Sequence, residues 1–264
     1  MSREHALYLK KLRRAAFLRH LARILLLALL IGAWELAVRT GLADPFIVSS
    51  PSRVVRTIGS LYASGDLFSH IFATFSETVI GFLSGTAIGV AFAVLLWFCP
   101  FAERVLDPYL VVLNALPKIA LGPILIVWVG AGAEAIIVMA LLVSTVVTVM
   151  TVLAGFMETE PSKLKLMKTL GANRMQTFLK VVLPGSVPTV MSALKISVGM
   201  SWVGVIVGEY LVSKRGLGYL IVYGGQVFRL DLVMASIVIL CVLAAVMYYA
   251  VAALERMIDK RFGR

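Results

Sequence analysis

Residues 164–188 read LKLMKTLGANRMQTFLKVVLPGSVP. Leu164, Met167, Leu170, Met175, Phe178 and Leu179 recur there at three- and four-residue steps, the spacing that puts apolar side chains on one face of a helix. Lys163, Lys165, Lys168, Arg174 and Lys180 are interspersed, so the stretch is too polar to cross a membrane. Pro161 can open a helix, because a missing N–H costs nothing in the first turn. Gly171 permits a sharp turn between two short helices, and Pro184 and Pro188 are expected to break the backbone after them. The pattern predicts a helix–turn–helix over residues 157–186. Two readings of it stand: a unit that docks in a partner's groove, or a loop resting on lipid headgroups.

What flanks the segment explains why it is polar. Of 264 residues, 60% are hydrophobic and 15% charged, against about 25% charged in ordinary soluble domains. The apolar residues gather in runs such as 24–33 and 138–154. A hydrocarbon core of about 30 Å takes about 20 apolar residues per helix. Six spans are expected, near residues 21–38, 71–98, 105–129, 133–156, 187–212 and 232–254, the third interrupted by Pro108, Pro117 and Pro123. The basic stretch before the first span resembles the start of a signal peptide. Trp34 and Glu35 follow without a small-x-small cleavage site, so an uncleaved span is expected. An even number of spans puts both ends on one side. That side carries 17 Lys and Arg, the other six, which places both termini in the cytoplasm. The net charge of +11 is thereby explained by orientation, and nucleic-acid binding is set aside.

The organisation that results is a basic cytoplasmic segment (1–20), a first span with its extracytoplasmic connection (21–70), a membrane core (71–255) and a cytoplasmic tail (256–264). A surface helix is expected from residue 52 to 62. Gly81, Gly85 and Gly89, and likewise Gly204 and Gly208, are spaced for close helix approach in lipid. Static packing is the plainer reading of them, and a moving interface the other. Ionisable residues inside spans are costly and face protein or water. Lys118, in the Pro-interrupted third span, and Glu209, near the outer end of the fifth, are candidate translocation-pathway residues; an ion pair or helix-end contact is the alternative. Lys195 and Glu77 share that choice. Cys99 and Cys241 read as small apolar residues with no disulfide, and His5, His20 and His70 as lying outside the spans. There is no G-x-x-x-x-G-K-[ST] phosphate loop, so this chain does not hydrolyse ATP by that route. No catalytic set, cofactor site or metal cluster is expected.

The 164–188 segment resembles the cytoplasmic coupling loop of ABC-importer permeases, whose pattern is E-A-A, three residues, G, nine residues, I, one residue, L-P. Gly171, Val181, Leu183 and Pro184 fall at the matching positions, while Lys165, Leu166 and Met167 replace E-A-A. NALPKIALGPILIVWVG (residues 114–130) and GEYLVSKRGLGYLI (208–221) are similar to permeases of the nitrate/sulfonate/taurine importer group. The resemblance implies the all-α type I importer fold with six transmembrane helices. It implies coupling to an ATPase through Lys165, Leu166, Met167, Leu170, Gly171, Ala172, Val181, Leu183 and Pro184. It also implies a second permease copy, a dimer of ATPase subunits carrying ATP and Mg, and an extracytoplasmic solute-binding protein, all at a bacterial inner membrane. Thiamine precursors or other small metabolites are the alternative cargo. A stand-alone secondary transporter would favour an inverted repeat with paired broken spans, whereas only one span reads as strongly broken; a membrane scaffold would have no use for the coupling pattern.

Overall fold

The computed structural model describes residues 3–261, and every regular element among them is a helix. In chain order these are α1 (Arg3–Arg39), α2 (Pro45–Val48), α3 (Pro51–Ala63), α4 (Asp66–Phe98) and α5 (Pro100–Ala115). A 3-10 turn (Lys118–Leu121) leads into α6 (Gly122–Val129), followed by α7 (Ala133–Met157), α8 (Pro161–Thr169) and α9 (Arg174–Thr177). A π turn (Phe178–Val182) joins α9 to α10 (Leu183–Val212), and α11 (Leu217–Gln226) and α12 (Leu230–Arg261) complete the chain. A lipid core offers no water to backbone groups, and helices satisfy them internally. Among the described residues, five segments are long and apolar enough to cross a membrane: Phe17–Arg39, Asp66–Phe98, Ala133–Met157, Arg174–Val212 and Leu230–Ile258. The pair Pro100–Ala115 and Lys118–Val129, bent by 85°, makes a sixth if counted as one span. Several helices outrun their apolar runs, since hydrogen bonding continues past the hydrocarbon edge; α4 begins at Asp66 and α12 reaches Arg261. His70, expected outside the spans, therefore lies in the first turns of α4. Residues 262–264 of the expected tail lie outside the described residues.

The core is a three-helix seam with α7 in the middle. On α4, a Cβ added at Gly81 would stand 2.7 Å from the Ala140 Cβ, at Gly85 2.5 Å from the Ser144 hydroxyl, and at Gly89 2.8 Å from Thr148. On α10, one at Gly204 would stand 2.5 Å from the Ala140 Cα and one at Gly208 2.9 Å from the Ile136 Cα. Both glycine rows thus face α7, and Ala140 is gripped from both sides. The α7 hydroxyls facing the seam are satisfied within their own helix: Ser144 donates to the Ala140 carbonyl at 2.8 Å and Thr148 to the Ser144 carbonyl at 2.9 Å. Close approach maximises dispersion contact where lipid supplies no hydrophobic drive between helices.

The third span breaks at Pro117, which has no N–H; α5 closes with the Leu116 N–H on the Val112 carbonyl. Pro108 sits inside α5 without ending it. The expected surface helix is α3, opened by Ser50, whose hydroxyl accepts from the Arg53 N–H, with Pro51 in its first turn. Glu35 ties α1 to α3 by accepting from the Ser52 N–H and hydroxyl, each at 3.1 Å.

Candidate functional site

The segment around Gly171 is built from local capping chemistry. Gly171 has φ +72°, the left-handed region where a side chain is strained. There it ends α8: the Ala172 N–H bonds the Met167 carbonyl at 3.0 Å and the Gly171 N–H the Lys168 carbonyl at 3.1 Å, the paired bonds of a Schellman motif. Two residues on, Asn173 starts the next helix. Its side chain accepts from the Gln176 N–H at 2.7 Å, and the Gln176 side chain accepts from the Asn173 N–H at 2.9 Å, a reciprocal capping box. Upstream, hydrogen bonding to Ser162 and Lys163 holds the Glu160 carboxyl below the usual carboxylate range, just ahead of the positive end of α8.

The second helix of the unit is not separate from the fifth span. The π turn carries α9 into α10, with the Leu183 N–H donating to the Phe178 carbonyl five residues back. The wider turn lets Pro184 enter at the start of α10 without its ring meeting a tight α-helical carbonyl row. Pro188 lies inside α10, and the Ser186 hydroxyl meets the Val182 carbonyl at 2.8 Å and the Gly155 carbonyl at 2.9 Å. Contrary to expectation, Pro184 and Pro188 do not break the backbone here: the helix runs through both.

The single apolar face expected of the segment is in fact two. Leu164 and Phe178 pack inward against α4, α5 and α7 residues such as Trp97, Leu106 and Phe156. Leu166, Leu170, Met175 and Leu179 point away from the bundle, Leu170 being 71% exposed. Lys165 and Gly171 are also exposed; Met167, Ala172, Val181 and Pro184 are half-buried. Leu183 lies at the first position of α10.

The ionisable residues divide into two kinds. Lys195 pairs with both Glu255 oxygens at 2.9 Å, joining α10 to α12. Glu209, 1% exposed, accepts from the Gly218 N–H at 2.6 Å. Beside it the Thr74 hydroxyl accepts from the Leu217 N–H at 2.7 Å, and His70 Nδ1 from the Gly216 N–H at 3.0 Å. Three consecutive donors opening α11 are thus met by side chains from α4 and α10. Glu77 is buried next to Glu209. Lys118 differs: it sits in the elbow of the broken span, its ammonium on the Asn114 carbonyl at 3.0 Å. Tyr109 and Val112 on one arm of that elbow, and Val127 and Trp128 on the other, are exposed.

The chain as a whole has counterparts among known proteins. Residues 85–264 match the family model described as "Binding-protein-dependent transport system inner membrane component". The chain belongs to this family. The permease is 31% identical over 235 residues to a probable ABC transporter permease protein of Haemophilus influenzae, covering 89% of this chain and 95% of the relative. It is 24% identical over 242 residues to the taurine transport system permease protein of Escherichia coli, covering 90% and 88%. Its fold matches a chain of the inward-facing MetNI methionine ABC transporter with a TM-score of 0.66 at 21% identity, covering 74% of the permease and 97% of that chain. The all-α permease fold and membership among ABC-importer permeases follow, and with them an integral inner-membrane location and partnership with an ATPase and a binding protein.

Apolar periodicity passes over the capping box, although the sequence carries its signal: Asn173 and Gln176 at N-x-x-Q spacing after a glycine. In the sequence, Arg174 is one interspersed charge among five, and no short-range pattern sets it apart.

Proposed function

We propose that this permease passes a small sulfonate or taurine-like solute inward, driven by ATP on a partner, with the α8–α9 turn as the docking element for that partner. The observation that carries the docking is the row of exposed Leu166, Leu170, Met175 and Leu179 on an otherwise basic segment. Apolar side chains held out by a capped turn suit a groove in a partner. With no phosphate loop in the sequence, ATP and Mg belong to the ATPase dimer, and this chain contributes no hydrolytic step. The charge distribution supports cytoplasmic termini, which puts the turn on the ATPase side. The uncovered α5–α6 elbow suits a second copy of the chain, with Lys118 facing the path between the two as an attraction for an anionic solute. Glu209, enclosed by its backbone donors, is better suited to holding the outer loop than to meeting solute. The substrate class rests on the E. coli taurine relative. The test is co-purification of the ATPase, followed by taurine uptake into proteoliposomes loaded with ATP. Uptake should require the binding protein outside; uptake without ATP or without that protein would overturn the reading.

A further inference from the structure

Arg174 makes a contact across the molecule that the docking turn does not need for its own shape. It is the first residue of α9, and the capping box of Asn173 and Gln176 forms without it. Its Nη1 donates to the Phe98 carbonyl at 2.7 Å, 76 residues away in the chain. Phe98 ends α4, and Pro100, two residues on, has no N–H to offer. Terminal carbonyls of a helix need partners and favour a cation. The guanidinium also lies 5.8 Å from the centre of the Trp97 ring, within cation–π range. Under it, Trp97, Phe98, Phe156 and Phe178 pack ring against ring with centroids 4.9 to 5.3 Å apart. Phe178 opens the π turn, so the same cluster joins the base of the fifth span to the C-terminal ends of α4 and α7.

We propose that Arg174 is a positioning residue for coupling: it latches the docking turn to the joint between α4 and α5, so that displacement of the turn pulls on the broken span. The proposal rests on the reading of the turn as the ATPase-docking element. Its logic is mechanical. A charge-assisted hydrogen bond and a cluster of tilted and edge-to-face rings stiffen one helix end, and the joint they hold is where the chain leaves α4 for the arm that carries Lys118.

The test uses the full complex of permease, ATPase and binding protein in proteoliposomes. Arg174→Ala should keep the ATPase in the purified complex and keep basal ATP hydrolysis. Uptake, and the stimulation of hydrolysis by loaded binding protein, should fall about tenfold or more, within the range typical of coupling between sites. Arg174→Lys retains a cation for the Phe98 carbonyl but not the guanidinium over the Trp97 ring, and should fall between wild type and Arg174→Ala. Wild-type uptake with normal uptake in Arg174→Ala overturns the latch alone. Loss of the ATPase from both variants also overturns it, because Arg174 would then be a docking contact or a folding requirement. A wild-type complex that neither holds the ATPase nor imports overturns the docking reading and the latch with it.

Discussion

Replacing Gly204 by alanine adds one methyl group where the seam brings backbone against backbone most closely. The new Cβ would stand 2.5 Å from the Ala140 Cα, 3.0 Å from its nitrogen and 3.1 Å from the Met139 carbonyl oxygen. Carbon atoms rest about 3.5–4.0 Å apart, so α7 and α10 must separate by about 1 Å. All three obstacles are backbone, so no rotamer change relieves them. Overpacking of this kind costs about 1–3 kcal/mol. Gly199, on the same helix, provides the control: a Cβ there meets nothing within 4 Å. Alanine at an open helical site is favoured over glycine by about 0.5–1 kcal/mol. The two substitutions are chemically identical and should have opposite signs. Thermal unfolding of the purified permease, followed by loss of monodisperse material, should show Gly204→Ala lower than wild type by on the order of 5 °C, taking about 2–4 °C per kcal/mol for a chain of this size. Gly199→Ala should match or exceed wild type. Equal melting of the two variants would refute the argument that Ala140 is clamped between glycine rows.

Three further outcomes are expected. Gly171→Val places a β-branched residue at φ +72°, a strain of about 1–3 kcal/mol, and should leave the chain inserted while reducing ATPase recovery on co-purification; unchanged recovery and uptake would count against the turn. Lys118→Met should abolish uptake from an assembled complex that still hydrolyses ATP, whereas full uptake, or failure to assemble, would remove Lys118 from the pathway. A reporter fused after Arg264 should report cytoplasm and one inserted near Ser64 the opposite side, and an outside C-terminus would remove the six-span arrangement.

Much of this molecule is written in short-range pattern. The apolar runs give the spans because about 20 residues of hydrocarbon preference is a property of composition. Gly171 announces its turn because a left-handed position selects glycine from almost any neighbourhood. Pro117 ends α5 as expected, whereas Pro108 does not end it. Pro184 and Pro188 read as breaks and are not, since a π turn one step earlier absorbs the first, and its position follows from packing of Phe178 and Val182, both buried.

The sequence by itself therefore determined the membrane class, the asymmetry of charge between alternate loops, the helix–turn–helix about Gly171 and the glycine spacing. Only the tertiary structure decided what those features touch. It set both glycine rows against α7, divided the amphipathic segment into a packed and a projecting face, enclosed Glu209 behind the donors of α11, and carried Arg174 to Phe98. The physical reason is range. Capping, turn geometry and hydropathy act within a few residues, whereas the partner of Arg174 lies 76 positions away and that of Thr74 143, and such pairings are chosen by how whole helices pack.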